Sequence, residues 1–173
     1  MLRPALILAA VSTLPAFAAI SPPSGVAPGL TPPAGEVAAF SLRAEGVHVF
    51  ECKPLATDPN RYLWSFSAPE STLYDSGRPV ARLTAENGFE ALADRSSVSA
   101  VVRARQNAGA SIPWLLLRAQ STPDTGLFAG VTSIQRVNTS GGVAPAGGCD
   151  ELNVGKEARA PFTAEYYFYR RAA

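Results

Sequence analysis

The 173-residue chain is poor in the side chains that most often carry chemistry: one histidine, two cysteines, one methionine, and only Lys53 and Lys156 among the lysines. A zinc centre needs three or four ligands, so a lone His48 argues against one. It also leaves His48 as the sole imidazole able to activate a serine or thiol nucleophile. No G-x-S-x-G elbow occurs, and Thr139-Ser140-Gly141-Gly142 comes nearest, with Asn138 where the first glycine should stand. Residues 142–147 have the two-glycine spacing of a phosphate loop, but Gly148-Cys149 replaces the required Lys and Ser/Thr. A G-x-G-x-x-G fingerprint is absent, as are repeat periods and heptads. No run approaches the roughly 20 apolar residues that a membrane-spanning helix needs. The formal charge is +1 and falls to 0 without residues 1–18, which argues against nucleic acid as a partner. No cofactor and no metal are expected, and with no catalytic constellation in view the balance leans away from an enzyme.

What is present begins with a secretory signal. Arg3 opens it, residues 5–14 are apolar, and Ala16-Phe17-Ala18 supplies a small-x-small cleavage site. Cleavage near Ala18 would deliver a secreted or periplasmic protein with no transmembrane segment in its mature chain. Residues 19–34 hold Pro22, Pro23, Pro28, Pro32 and Pro33 among Ser and Gly, a composition suited to an extended linker or a loosely docked arm. Residues 35–171 then form a single β domain.

Within that domain short runs rich in Val, Phe, Tyr and Leu alternate with Pro, Gly, Asn and Asp punctuation. Strands are predicted over residues 37–43, 47–53, 62–67, 72–74, 80–84, 97–105, 114–120, 126–137 and 162–170. Residues 114–117 are apolar on both faces, as in a strand covered on both sides. Only residues 85–96 have a helical spacing, in Phe89 and Leu92, and Gly88 weakens it. The predicted fold is all-β, a sandwich or closed barrel of short, mostly antiparallel strands with at most one short helix.

In an oxidising compartment Cys52 and Cys149 have one intramolecular pairing, and a disulfide between them is expected. The alternative is a metal-binding or nucleophilic thiol, because strand alternation puts Cys52 on the face of His48 and Phe50. For ligand binding the candidates are Gln135, Arg136, Asn138 and Ser140, which run from a strand into a glycine loop, and Tyr167 on the aromatic strand near the C-terminus. The bland alternatives are a capped turn at Asn138, an ion pair for Arg136 and a core strand around Tyr167. Glu51, Glu70, Asp75 and Glu165 are the acids to inspect for carboxylate catalysis, which needs two facing side chains. The expected partner is a small molecule or glycan. The leading expectation is a non-enzymatic binding or envelope-associated protein, and the rival is a carboxylate-dependent enzyme acting on an extracellular glycan or small molecule.

Several blocks together resemble a known family: Gly46-Val47-His48-Val49-Phe50-Glu51-Cys52-Lys53-Pro54, Ala68-Pro69-Glu70-Ser71-Thr72-Leu73-Tyr74, Ile112-Pro113-Trp114-Leu115-Leu116-Leu117, Ile134-Gln135-Arg136-Val137-Asn138-Thr139-Ser140-Gly141-Gly142 and Tyr166-Tyr167-Phe168-Tyr169. Their order and spacing are similar to those of the secreted bacterial and fungal family catalogued as domain of unknown function 3455. The resemblance implies a β-rich secreted domain and brings no activity, ligand or catalytic residue with it. One segment departs from the pattern. Where the family typically has a stretch like Gly-Lys-His-Tyr-Ala-Gly-Pro-Thr-Trp, this chain has Ala81-Arg82-Leu83-Thr84-Ala85-Glu86-Asn87-Gly88-Phe89, without the His, Pro and Trp.

Overall fold

Alternating apolar and polar side chains continue through eight antiparallel strands that pair in sequence order and close into a barrel. The computed structural model describes residues 20–172, and the expected signal segment, residues 1–18, lies outside them. The strands are β1 (Glu36–Leu55), β2 (Asp58–Asp75), β3 (Arg78–Ala85), β4 (Gly88–Ala91), β5 (Ser97–Ala108), β6 (Ser111–Ser121), β7 (Val131–Gly141) and β8 (Glu157–Arg171). The all-β expectation is met, as a barrel. Closure comes from β8, which pairs with β7 on one side and with β1 on the other, from Glu36↔Arg171 to Glu51↔Glu157.

Two pairs of predicted strands are each one continuous strand. The 37–43 and 47–53 runs join through Gly46, where a Cβ would lie 2.1 Å from the Glu70 carbonyl oxygen. Only glycine admits β2 so close to β1. The 62–67 and 72–74 runs join through Pro69 within β2. The pairing of β2 with β3 is confined to Thr72–Asp75, and a strand lacking a neighbour on one side tolerates proline. Two other segments differ from expectation. Residues 85–96 are not helical: Asn87 and Gly88 turn the chain, and β4 seats Phe89 between β3 and β5. Residues 126–130 are a loop, because Gly126 and Gly130 take positive φ, and β7 begins only at Val131.

That loop plugs the lower end of the barrel with Phe128, which is fully buried and 5.2 Å from the Phe168 ring. The Asp94 carboxylate accepts from the Leu127 N–H at 2.8 Å, and Ser96 Oγ accepts from the Phe128 N–H at 3.4 Å. Above the plug, Leu42, Leu73, Leu83, Phe89, Val98, Leu115, Leu117 and Ile134 fill the interior. Phe40 stacks on Phe168 at 4.6 Å.

The proline-rich segment lies on the outer wall. Pro28–Leu30 forms one 3-10 turn, Leu30 is 1% exposed, and its carbonyl accepts from Gln135 Nε2 at 2.8 Å. The Ala27 N–H donates to Gln106 Oε1 at 3.3 Å. Leu116, on the opposite face of β6 from Leu115 and Leu117, is also buried, so β6 is apolar on both faces for a structural reason.

At the upper end Cys52 and Cys149 form a disulfide with a Cα–Cα separation of 5.4 Å across 97 residues. The bridge ties β1 to the loop between β7 and β8. Replacing both cysteines by serine is expected to lower the unfolding free energy by up to about 4.7 kcal/mol, read as a fall in the urea midpoint. Leu30→Ala is expected to cost about 2 to 5 kcal/mol, with the far-UV spectrum of the barrel retained.

Candidate functional site

The closing register determines which side chains share the outer wall. Arg43 stands opposite both Tyr74 of β2 and Glu165 of β8, and Ser41 stands opposite Tyr167. Directly paired residues point to the same face of a sheet. The last residue of β2, Asp75, and Ser76 of the turn after it add to the rim. These side chains line a cleft of about 260 Å³. An adjoining hollow of about 420 Å³ shares Arg43, Tyr74 and Ser76 with it and adds Glu45.

Charge and hydrogen bonding hold this surface in place. Glu165 Oε2 accepts from Asn138 Nδ2 at 2.8 Å and from the Tyr167 hydroxyl at 3.4 Å. Arg43 pairs with Glu45 at 3.0 Å, both half exposed, so its guanidinium keeps donors free to turn into the cleft. Burial, with Glu165 beside it, raises the Tyr167 phenol above its ordinary value. Tyr167 therefore remains a neutral donor at physiological pH. Tyr74 and Tyr167 are each half-buried, presenting ring surface and a hydroxyl together.

The candidates from the strand-to-loop stretch are distributed over three places. Asn138 and Tyr167 meet at Glu165, on the cleft side of the wall. Asn138 has φ +50°, and the pairing of β7 with β8 shifts between Val137 and Ser140. That bulge turns Asn138 outward, against the simple alternation that would align it with Arg136. Gln135 faces outward but is sealed beneath the arm, where its Oε1 accepts from the Tyr169 hydroxyl at 2.9 Å. Burial raises the Tyr169 phenol to about 12, with Tyr167 adding to the effect. Arg136 points into the barrel, 3% exposed, and its Nε donates to the Pro113 carbonyl at 3.1 Å. Ser140 is exposed on the far side of the bulge.

Of the four acids singled out from the sequence, Glu51 pairs with Lys53 and Glu70 with Arg159. The bond from Arg159 holds the Glu70 carboxyl below its usual range. Asp75 and Glu165 line the same cleft. Ser41, Arg43 and Tyr74 carry no local signal and become neighbours of Tyr167 only through pairing register. Among the described residues no three His, Cys, Asp or Glu side chains cluster to hold a metal ion.

His48 sits inside the upper end among Phe66 and Phe162, whose ring centroids lie 5.0 and 4.4 Å away. Its Nδ1 is 3.0 Å from the Gly142 carbonyl oxygen, to which it donates as the Nδ1–H tautomer. A Cβ at Gly142 would press on Ile112 and Phe162 at 2.9 Å, so the glycine permits this close contact.

A family model described as protein of unknown function (DUF3455) matches residues 79–170, from β3 through β8. The chain belongs to this family. The DUF3455 span contains Asn138, Glu165 and Tyr167, while Ser41, Arg43 and Tyr74 reach the cleft from strands that precede it. No curated protein and no solved structure matches the chain. In this member the segment 81–89 supplies core rather than an imidazole: Ala81, Leu83 and Phe89 are buried.

Burial lowers the His48 pKa, nearby Arg136 lowers it further, and the Gly142 bond and Glu86 oppose the shift. The unfolded chain, with an imidazole near 6.5, therefore takes up a proton before the folded one as pH falls. The stability that neutral His48 contributes is whole above about pH 7 and is lost as pH drops below about 6.5 toward the lowered folded value. Urea midpoints measured between about pH 7 and about pH 5.5 should fall, and His48→Gln should flatten that slope.

Proposed function

We propose that this is an exported, non-enzymatic binding barrel that holds a sugar-like ligand in the outer-wall cleft between Tyr74 and Tyr167. The observation that carries the reading is the meeting, on one wall, of two half-exposed tyrosines with Arg43, Glu165, Asp75 and Ser41. A sugar ring offers an apolar C–H face for stacking and hydroxyls for polar groups around it. Two tyrosine rings, one of them bonded through its hydroxyl to a fixed carboxylate, suit that pattern, and an open cleft suits one or two rings of a longer chain. Export is supported by the leader-like residues 1–18 and by the Cys52–Cys149 disulfide, which persists in oxidising compartments. No helix among the described residues is long and apolar enough to cross a membrane.

A hydrolytic reading draws on one specific observation, that Asp75 and Glu165 line the same cleft. Against it, Glu165 Oε2 already accepts from Asn138 and Tyr167, which ties this carboxylate into the wall as a fixed acceptor.

Titration calorimetry with soluble cello-oligosaccharides, chito-oligosaccharides and peptidoglycan fragments tests the proposal. Saturable binding to at least one class is expected, weakened about tenfold or more by Tyr167→Ala or Tyr74→Ala and left intact by Ser140→Ala. Release of new reducing ends by the purified protein, lost in Glu165→Gln, would replace binding by catalysis. Absence of binding to every class would remove the sugar assignment.

A further inference from the structure

We propose that the upper edge of β2, from Tyr62 to Ala68, is a docking site for an extended acidic peptide, which adds to the barrel wall as a further strand. β2 pairs with β1 along this stretch, but with β3 only over Thr72–Asp75. β5 pairs with β4 no further than Ser99, and its last bond to the β3–β4 hairpin is from the Ala100 N–H to the Asn87 carbonyl at 3.0 Å. The hairpin turns back at Glu86 and Asn87. Above that turn β2 and β5 each carry an edge with no neighbouring strand among the described residues.

Cys52 shows which way the backbone of that edge points. Its N–H donates to the Lys156 carbonyl and its carbonyl accepts from the Gly155 N–H, each at 2.9 Å and each on the side of β1 away from β2. Trp64 stands directly opposite Cys52, so its own N–H and C=O turn away from β1, toward the open edge. Tyr62 and Phe66, two residues to either side, present theirs the same way. No hydrogen bond from elsewhere in the protein meets these backbone groups among the described residues. A row of N–H and C=O groups on an open edge is a template for main-chain pairing. Pro59 and Pro69, which cannot donate, bound it at either end.

The charge along the two edges selects the occupant. Arg61 on β2 and Arg103 and Arg105 on β5 are exposed, and none forms an ion pair among the described residues. The acids of this region are fewer and mostly engaged: Glu70 pairs with Arg159 and Glu51 with Lys53, which leaves Glu86 on the β3–β4 turn. Leu63 and Val102, one on each strand, are both 39% exposed. A peptide in which acidic and apolar residues alternate answers both features, because a strand sends successive side chains to opposite faces. Tyr62, Leu63 and Trp64 also share a hollow of about 260 Å³ with residues 144–147, which has room for one of its side chains. This edge is separate from the outer cleft, which lies at Tyr74, where β2 is already paired with β3.

The probe is an end-blocked peptide of about eight residues alternating valine and glutamate, with its valine–lysine counterpart and its fully N-methylated form as controls. Calorimetry on the full mature chain should give saturable, salt-sensitive binding of the acidic peptide alone, and hydrogen exchange should slow at the Tyr62, Trp64 and Phe66 amides. Tyr62→Pro removes a donor from the open edge and no bond to β1, and should weaken binding about tenfold beyond Tyr62→Ala. Arg103→Glu combined with Arg105→Glu should weaken it several-fold. Should Tyr62→Pro fail to fold, the N-methylated peptide and the exchange measurement decide. No binding, equal binding of the N-methylated peptide, or unchanged exchange at those three amides would overturn the proposal. A wild-type dimer in sedimentation that Tyr62→Pro converts to monomer would overturn it too, by giving the edge to a second copy of the chain.

Discussion

The pairing of β8 with β1 is the constraint on which the rest of the molecule depends. Without it the sheet would have two long edges, each a row of unmatched backbone donors and acceptors. With it, every strand acquires an inside and an outside, and the period of two along each strand becomes a spatial assignment. Consecutive residues of β8 then serve different ends. Tyr166 and Phe168 fill the barrel, while Glu165 and Tyr167 face the outer cleft. Opposite them Arg136 is forced inward, and Gln135 is turned out beneath the arm.

Three fastenings act on this closed sheet at different places. The lower end is stopped by Phe128, whose loop is held by Asp94 and Ser96. Ser96 bonds keep the Asp94 carboxyl below its usual range, so the fastening remains charged well into acid. The upper end is fastened covalently by Cys52–Cys149, and Trp64 adds a bond from its indole N–H to the Gly147 carbonyl at 2.8 Å. The outer wall is covered by Leu30, which lets Leu116 and Tyr169 be buried on a face that would otherwise meet water.

The outer wall and the interior are governed by different physics. In the outer cleft water competes for every hydrogen bond, so the proposed sugar-like ligand would depend on ring stacking and on groups already held in position, as Asn138 holds Glu165. Inside the barrel the Arg136 guanidinium, bonded through Nε to the Pro113 carbonyl, exerts a field that solvent screens little and that acts on both His48 and Tyr166. The phenols follow the same division: Tyr166 is fully buried beside Arg136, whereas Tyr167 is partly exposed and bonded to Glu165.

Much of the architecture was legible in the residues. Period-two alternation identified the strands, the lone cysteine pair identified the bridge, and the two-faced apolarity of residues 114–117 signalled a covered strand. Strand ends were misread where glycine acts through its surroundings. Gly46 continues a strand because β2 crosses it closely, whereas Gly126 and Gly130 end one by taking positive φ. The candidate site was legible only in part. Tyr167 and Asn138 stood out locally, but Arg43 and Tyr74 are brought to them by register, which depends on how far each strand is shifted against the next. Composition and short-range pattern thus determined an all-β chain with one possible disulfide. Tertiary pairing alone decided that Arg136 lies opposite Tyr166 inside and that Tyr74 lies near Tyr167 outside, because those contacts join residues 30 and 93 positions apart.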